Sequence, residues 1–469
     1  MARTLGMREP AVAVSETSSS RRRCAPKSRE VVKVQRDAQA APCLWYRPSR
    51  TVRGTVTRTI GLSALVLAGL AEPAQAAEET RVVTGRLPAR EWMDWTASVS
   101  YLHEHEQGAL NREYESADSG GRIGLVSDLL YQRSRDVIQL RGEAGLFKDL
   151  SLFTVLSIVA SDQRSLAFNQ SNNCASQPNG CVDGTNSTTL RDGILPGYGN
   201  QFPSTTVFRG PTRRGFEYWG LGANWAVFNQ ARDNTKPTWI LRFETRLSLA
   251  EDMRFDPAAP TKNTGVGLGY HQFILSTLVS RHFGPLEPYT GAWVMLPVLT
   301  GGSPFSAPGA SGGAQKRLGF EAGLEATLWH DQQAHHRVAY ELRGQAELRL
   351  DGLEQSPLWE ALSGDPSCGP KNTAACRPGS VDQDNNGVAR PNPGVTHSPS
   401  YGQMGGDTGL VIQIGPHARL RSLFGVFWQQ SHDLTDGSSG NAVYDVPGRR
   451  YHIDNAYSWR ILIDGGVVF

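Results

Sequence analysis

The stretch that decides the fold is the last one, YSWRILIDGGVVF, running from Tyr457 to Phe469. Counted back from the end, Phe469, Val467, Gly465, Ile463, Ile461, Trp459 and Tyr457 share one parity. Val468, Gly466, Asp464, Leu462, Arg460 and Ser458 share the other. A strand sends alternate side chains to opposite faces, so this segment has one apolar, aromatic-tipped face and one largely polar face. The edge of a soluble sandwich can be built the same way, so the rest of the chain decides.

The alternation recurs. In HRVAYELRGQAELRLD, Val338, Tyr340, Leu342, Ala346, Leu348 and Leu350 oppose Arg337, Glu341, Arg343, Glu347, Arg349 and Asp351. In TWILRFETRLSL, Trp239, Leu241, Phe243, Leu247 and Leu249 oppose Arg242, Glu244, Arg246 and Ser248. KRLGFEAGLEATLW sets Leu318, Phe320, Leu324 and Leu328 against Glu321 and Glu325, and ARLRSLFGVFWQQ sets Leu420, Phe424, Val426 and Trp428 against Arg419 and Arg421. None of these follows the helical period of 3.6.

Strands are expected at 92–105, 125–146, 150–162, 214–229, 237–252, 265–282, 288–298, 318–331, 336–352, 405–414, 416–433 and 456–469, twelve in all. Their connections alternate in length. FKDL, QARDNTKP, HFGPLEP, DQQAHH and GPH are short; 106–124, 163–213, 253–264, 299–317, 353–404 and 434–455 are long. An antiparallel transmembrane β-barrel has short periplasmic turns, long outer loops and an even strand count, and it produces this alternation. A sandwich or a propeller has no reason to. A sheet can span hydrocarbon only if it closes and leaves no edge. The apolar parity then faces lipid, with Trp92, Trp95, Tyr101, Trp219, Trp239, Trp428, Tyr457 and Trp459 near the interfaces. The charged parity faces the interior.

With those residues in view, the tail resembles the C-terminal assembly signal of Gram-negative outer-membrane β-barrel proteins, in which a terminal aromatic closes an alternating strand. Tyr457, Ile461, Ile463, Val467 and Phe469 match its apolar positions, while Asp464 stands where the usual glycine would be. The resemblance covers the architecture of residues 77–469. It implies contact with outer-membrane lipid and with the barrel-assembly machinery, and it names no subfamily.

The start of the chain fits export. Arg58, the apolar stretch Ile60–Leu70 and Ala74-Gln75-Ala76 follow the basic, apolar, small-x-small order of a secretory signal. Residues 52–76 are therefore expected to be a signal peptide cleaved after Ala76, with 77–91 a periplasmic segment ahead of a barrel at 92–469. The Arg-rich residues 1–51 read as a disordered extension, or as sequence ahead of a later true start near Val52 or Val56. The mature chain keeps Cys174, Cys181, Cys368 and Cys376, in two local pairs, CASQPNGC and CGPKNTAAC. In an oxidising compartment these are expected to form the disulfides Cys174–Cys181 and Cys368–Cys376; zinc fits poorly, because the spacings are wide and no histidines interleave.

Lys plus Arg total 47 and Asp plus Glu 45, a net charge of +2, so nothing marks a nucleic-acid binder. No apolar run reaches the roughly 20 residues of a membrane helix. The inward charges are the functional candidates. Arg141, Arg242, Arg246, Arg337, Arg343, Arg349, Arg419, Arg421 and Arg460 face Asp94, Glu143, Glu244, Glu321, Glu325, Glu341, Glu347, Asp351, Asp407 and Asp464, close to neutral overall. Twelve strands lie between a packed interior and an open channel. The expectation is a monomeric, porin-like channel or transporter for a small hydrophilic solute, without cofactor. A structural or adhesion barrel filled by side chains is the alternative.

A lipid hydrolase stands third. Twelve-stranded outer-membrane phospholipases resemble this chain in strand number and place Ser, His and Asn on the lipid-facing wall; here His103, His105, Ser431 and His432 lie near strand ends without such a constellation. SVDQDNNGVARP opens like a calcium loop, with Asp382, Asp384 and Asn386 at ligand positions, but Pro393 replaces the closing acid. The two longest loops are expected to cap the pore or to bind something outside.

Overall fold

A computed structural model describes residues 77–83, 94–115, 122–169, 182–183, 186–191, 206–254, 264–306, 313–363, 394–438 and 444–468. The strands of its main sheet that run round the wall are β1 (Trp95–Glu115), β2 (Ile123–Phe147), β3 (Leu150–Phe168), β4 (Arg213–Phe228), β5 (Thr238–Leu247) and β6 (Tyr270–Ser280). They continue as β7 (Leu286–Leu299), β8 (Arg317–Asp331), β9 (His336–Arg349), β10 (Tyr401–Ile414), β11 (Ala418–Gln429) and β12 (Tyr451–Val468). Each pairs with the next, and β12 returns to β1, from Thr96 opposite Val468 to Arg112 opposite Tyr451. The sheet is a closed twelve-stranded antiparallel barrel, as the alternation of loop lengths requires. No helix among the described residues is long and apolar enough to cross a membrane; the strands do so instead.

The turns at one end are tight because their residues accept left-handed backbone. Lys148 takes φ 45° between β2 and β3, and Gly415 takes φ 63° between β10 and β11, a conformation glycine adopts without steric cost. One side-chain parity is exposed and apolar all round the wall: Val99, Leu140, Leu275, Phe320, Leu342, Phe424 and Ile463 among others. Exposed Trp95, Trp225 and Trp329 stand near the short-turn ends, and Trp219, Trp428 and Tyr457 nearer the other. So continuous an apolar belt between aromatic rims marks a surface covered by lipid.

One expectation needs correction. The connection at 106–124 was read as a long loop, but β1 runs on to Glu115 and β2 starts at Ile123. The pattern hid this because the register shifts between Gln107 and Ala109, opposite Asn455, which has φ 51°. Such a bulge reverses which parity points inward. Ser458 and Ala456 are buried below it, Ile453 and Tyr451 above it. Residues 77–83 lie ahead of the barrel strands. They form a short strap with a 3-10 turn at Glu78–Thr80, drawn in against the inner wall, with Ala77 and Thr80 fully buried. The proposed signal peptide, the residue Phe469, all four cysteines, and Asp382, Asp384 and Asn386 lie outside the described residues.

Candidate functional site

The inward parity of the strands builds a paired ionic wall, and the register settles which charges meet. Glu143 on β2 accepts bonds from Arg141 Nη2 (2.8 Å), Ser151 Oγ (2.5 Å) and Asn224 Nδ2 (2.7 Å), and Arg242 Nε donates to Asn224 Oδ1 (2.9 Å). Arg246 Nε donates to Glu244 at 2.6 Å, and Arg349 Nε to Glu347 at 2.8 Å. Glu325 pairs with Arg337, and Gln345 Nε2 donates to Glu321 at 3.4 Å. Glu341 is fixed by Arg421 Nη2 at 2.6 Å and by the Tyr289 hydroxyl at 2.7 Å. Asp407 is shared: Arg343 Nη2 reaches it at 2.8 Å and Arg460 Nη2 at 2.7 Å. Asp464 is half-buried on the same parity of β12. Asp94 precedes β1, and Asp351 lies beyond β9 at the outer rim.

Sequence reasoning missed two groups of interior residues. The first is the strap. Glu79 Oε1 accepts from Arg343 Nη1 (2.5 Å) and Arg421 Nη2 (2.8 Å), and Glu78 pairs with Arg419. The Glu78 amide donates to Glu325 Oε2 at 3.1 Å, and Thr80 Oγ1 donates to Ser280 Oγ at 2.7 Å. Ser280, Arg337 and Arg419 all sit close to short turns, so the strap occupies that end of the lumen. Nothing periodic distinguishes EET in the sequence.

The second group lies in the outer half. There β1, β2, β3 and β12 rise past the lipid belt and enclose an apolar core containing Leu110, Leu129, Phe168, Tyr451 and Ile453. Packed into it is the one-turn helix α1 (Trp359–Ser363), from the long connection after β9. Trp359 is fully buried, with the Arg164 guanidinium 5.5 Å and that of Arg213 4.9 Å from its ring. Arg213 Nε donates to Glu360 Oε1 at 2.9 Å, yet burial still pushes the Glu360 carboxyl above its ordinary value. The described start of the long connection after β9 thus packs within the outer half of the barrel.

Inside the barrel is a chamber of about 570 Å³. Its wall carries Arg133, bound to Asp162 at 2.7 Å, Arg135, paired with Glu217, and Arg349, which donates to the Tyr401 hydroxyl at 2.9 Å. Its roof includes Met253, Leu268, Phe305 and Leu353 from the outer connections. A volume of that size falls within the range of small-ligand sites.

The histidines are dispersed. His103 Nδ1 lies 2.8 Å from Asp136 Oδ1, which also accepts from the Tyr101 hydroxyl at 2.6 Å, and His103 and His105 flank Trp459. His432 is elsewhere, stacked on Tyr401 at 3.6 Å in the outer part. Among the described residues no serine hydroxyl bonds to His103, His105 or His432, so a nucleophile–base pair is not assembled there. The described group suited to a cation is Asp351, His397 and Asp436, whose ligand atoms lie within 4.8 Å of one another. His397 Nδ1 is already 2.6 Å from Asp436 Oδ2. Burial would raise the Asp436 carboxyl, but bonds from Ser438 and His397 outweigh it and hold it below the usual range.

No protein-family model matches the chain, and no curated protein does. Among solved structures, an outer-membrane channel of Pseudomonas putida F1 is 12% identical, with TM-score 0.33, over 83% of this chain and 100% of that one. A FadL homologue of Pseudomonas aeruginosa is 10% identical, with TM-score 0.30, over 80% and 90%. The outer-membrane protease OmpT of Escherichia coli is 8% identical, with TM-score 0.25, over 80% and 96%. The closed strand register, rather than these distant likenesses, defines the class: a transmembrane β-barrel.

Proposed function

We propose that this chain is a Gram-negative outer-membrane channel or transporter for a small hydrophilic solute, inserted as a monomer by the barrel-assembly machinery. The observation that carries the reading is the chamber of about 570 Å³ inside a wall of paired arginines and carboxylates. A barrel that served only as a structural support would gain more from an apolar or fully packed interior, because buried ion pairs seldom outperform well-packed apolar groups in stability. The balanced charge of the wall as a whole argues against strong selectivity for small anions or cations. The export signal at 52–76 and the alternation of short turns with long loops support the outer membrane as its location.

A second reading has an observation of its own. The strap and the cap occupy the two ends of the lumen, which suits a filled structural barrel equally well. Planar-bilayer conductance separates the two readings. A channel should show low basal conductance that rises several-fold when residues 77–83 are deleted. A folded, strap-free barrel with no conductance would leave the structural reading standing.

A further inference from the structure

The strap is held by chemistry that a free molecule can reproduce. Its two carboxylates meet three arginines: Glu79 lies between Arg343 and Arg421, at 2.5 and 2.8 Å, and Glu78 is paired with Arg419. Its backbone N–H meets one acceptor, Glu325 Oε2, at 3.1 Å. Each shared guanidinium gives its Nε/Nη2 edge to the wall: Arg343 to Asp407 at 3.0 and 2.8 Å, Arg421 to Glu341 at 2.8 and 2.6 Å. What reaches Glu79 is Arg343 Nη1 and a second bond from Arg421 Nη2. Two guanidiniums fixed in this way, each donating once more to the same oxygen, form a directional receptor for a carboxylate in a confined site.

We infer that the Arg343–Arg419–Arg421 site is a solute subsite for molecules that carry two carboxylates and an N–H donor, such as short acidic peptides, and that Glu78 and Glu79 occupy it as a built-in competitor. This rests on the reading of the barrel as a solute channel, and it adds the class of solute and the way passage is regulated. Because the strap is covalently part of the chain, it competes at the millimolar effective concentration typical of a short tether. Solute below that level leaves the strap in place, and solute above it displaces the strap. The gate therefore answers to the concentration of the compound it admits.

The test is direct binding to the folded full-length chain in detergent, by calorimetry, with the dipeptides glutamyl-glutamate and glutaminyl-glutamine as probes. The variant Glu78→Gln/Glu79→Gln should bind glutamyl-glutamate about tenfold or more tighter than glutaminyl-glutamine. Wild-type protein should bind the acidic probe more weakly than the variant does, and Arg343→Gln added to the variant should abolish the preference. Heat-modifiable gel mobility confirms folding. Should the double variant fail to insert, Glu79→Gln alone keeps the Glu78–Arg419 pair and allows the same comparison. Equal affinity for the two dipeptides, or a preference that survives Arg343→Gln, overturns the site. Conductance on the same samples separates the two readings: binding without current removes the channel and keeps the site, whereas current without discrimination keeps the channel and removes the site.

Discussion

At the short-turn end, the segment inside the barrel is held by carboxylate–guanidinium pairs and a hydroxyl contact; at the outer end, it is held by an apolar core. Glu78 and Glu79 keep side-chain exposures of 14% and 17%, while Trp359, Leu358 and Leu362 have none. The difference separates what can exchange from what belongs to the fold. Ion pairs formed in a polar lumen replace hydration with like interactions, so their net gain is small and their partners can be substituted. Burying a Trp and two Leu side chains removes apolar area that no soluble competitor restores. On the proposed channel reading, the outer end is the fixed wall and the strap end is the side that opens.

The largest expected effect lies in the cap. Trp359→Ala leaves a cavity between Arg164 and Arg213 and should cost about 3–5 kcal/mol of cap stability. Limited proteolysis should then cut near 350–363 while the barrel keeps its heat-modifiable mobility. Unchanged protection would mean that the apolar core does not hold this end.

Next comes the wall that carries both closures. Ile463→Arg puts a cation on the lipid face and should cost about 2–4 kcal/mol near the midplane. Leu462→Arg, one residue away on the inward parity, should fold far better. Equal folding of the two variants would place β12 away from lipid and remove the frame within which the ends are compared.

How much of this was legible follows from where each contact gets its partner. The strands and their inward charges could be read because lipid on one side and water on the other impose period 2 on adjacent residues. The outer reach of β1, from Glu106 to Glu115, could not, because the shift between Gln107 and Ala109 reverses the parity and loops replace lipid as the covering. Tyr451 and Ile453 are apolar and buried, yet they stand on the parity that faces lipid lower down. Inward direction was readable for Arg343, Asp407 and Arg460, but not that the two arginines share one carboxylate, since that depends on the register of separate hairpins. The strap is the extreme case. Glu79 meets residues 264 and 342 positions away in the chain, and no local pattern encodes such a pairing.

The third prediction concerns the strap itself. Glu79→Gln removes one partner of two arginine bonds and should loosen the strap by about 1–3 kcal/mol. Raised salt should weaken the same contacts by screening, since part of each side chain is in contact with solvent. Basal conductance should therefore rise more steeply with salt in wild type than in the Glu79→Gln variant, whereas proteolysis of the cap should not respond to salt. A cap that loosened in parallel with the strap would erase the distinction between the two ends.

The smallest effect expected is a pH dependence confined to the outer hairpin, the short strands Gly352–Glu354 and Thr396–Ser398, which lie beyond the barrel strands. Burial alone would raise the Glu354 carboxyl. His432 at 3.8 Å, the Ser398 hydroxyl at 2.6 Å and the nearby Arg349 outweigh it and hold the group at about 2, and Tyr401 also donates to it at 2.8 Å. A carboxyl whose folded pKa is depressed contributes stability that is fully present above its ordinary value, near 4.5, and lost as pH falls towards 2. Amide exchange in 352–354 and 396–398 should accordingly become faster, relative to the intrinsic rate, between pH 5 and pH 2.5. Glu354→Gln should show the weaker protection already at pH 5 and little further change on acidification. Wild-type protection that stayed flat over that window would show that the apolar core alone holds the outer end, and that the contrast with the ion-paired strap is sharper than Glu354 suggests.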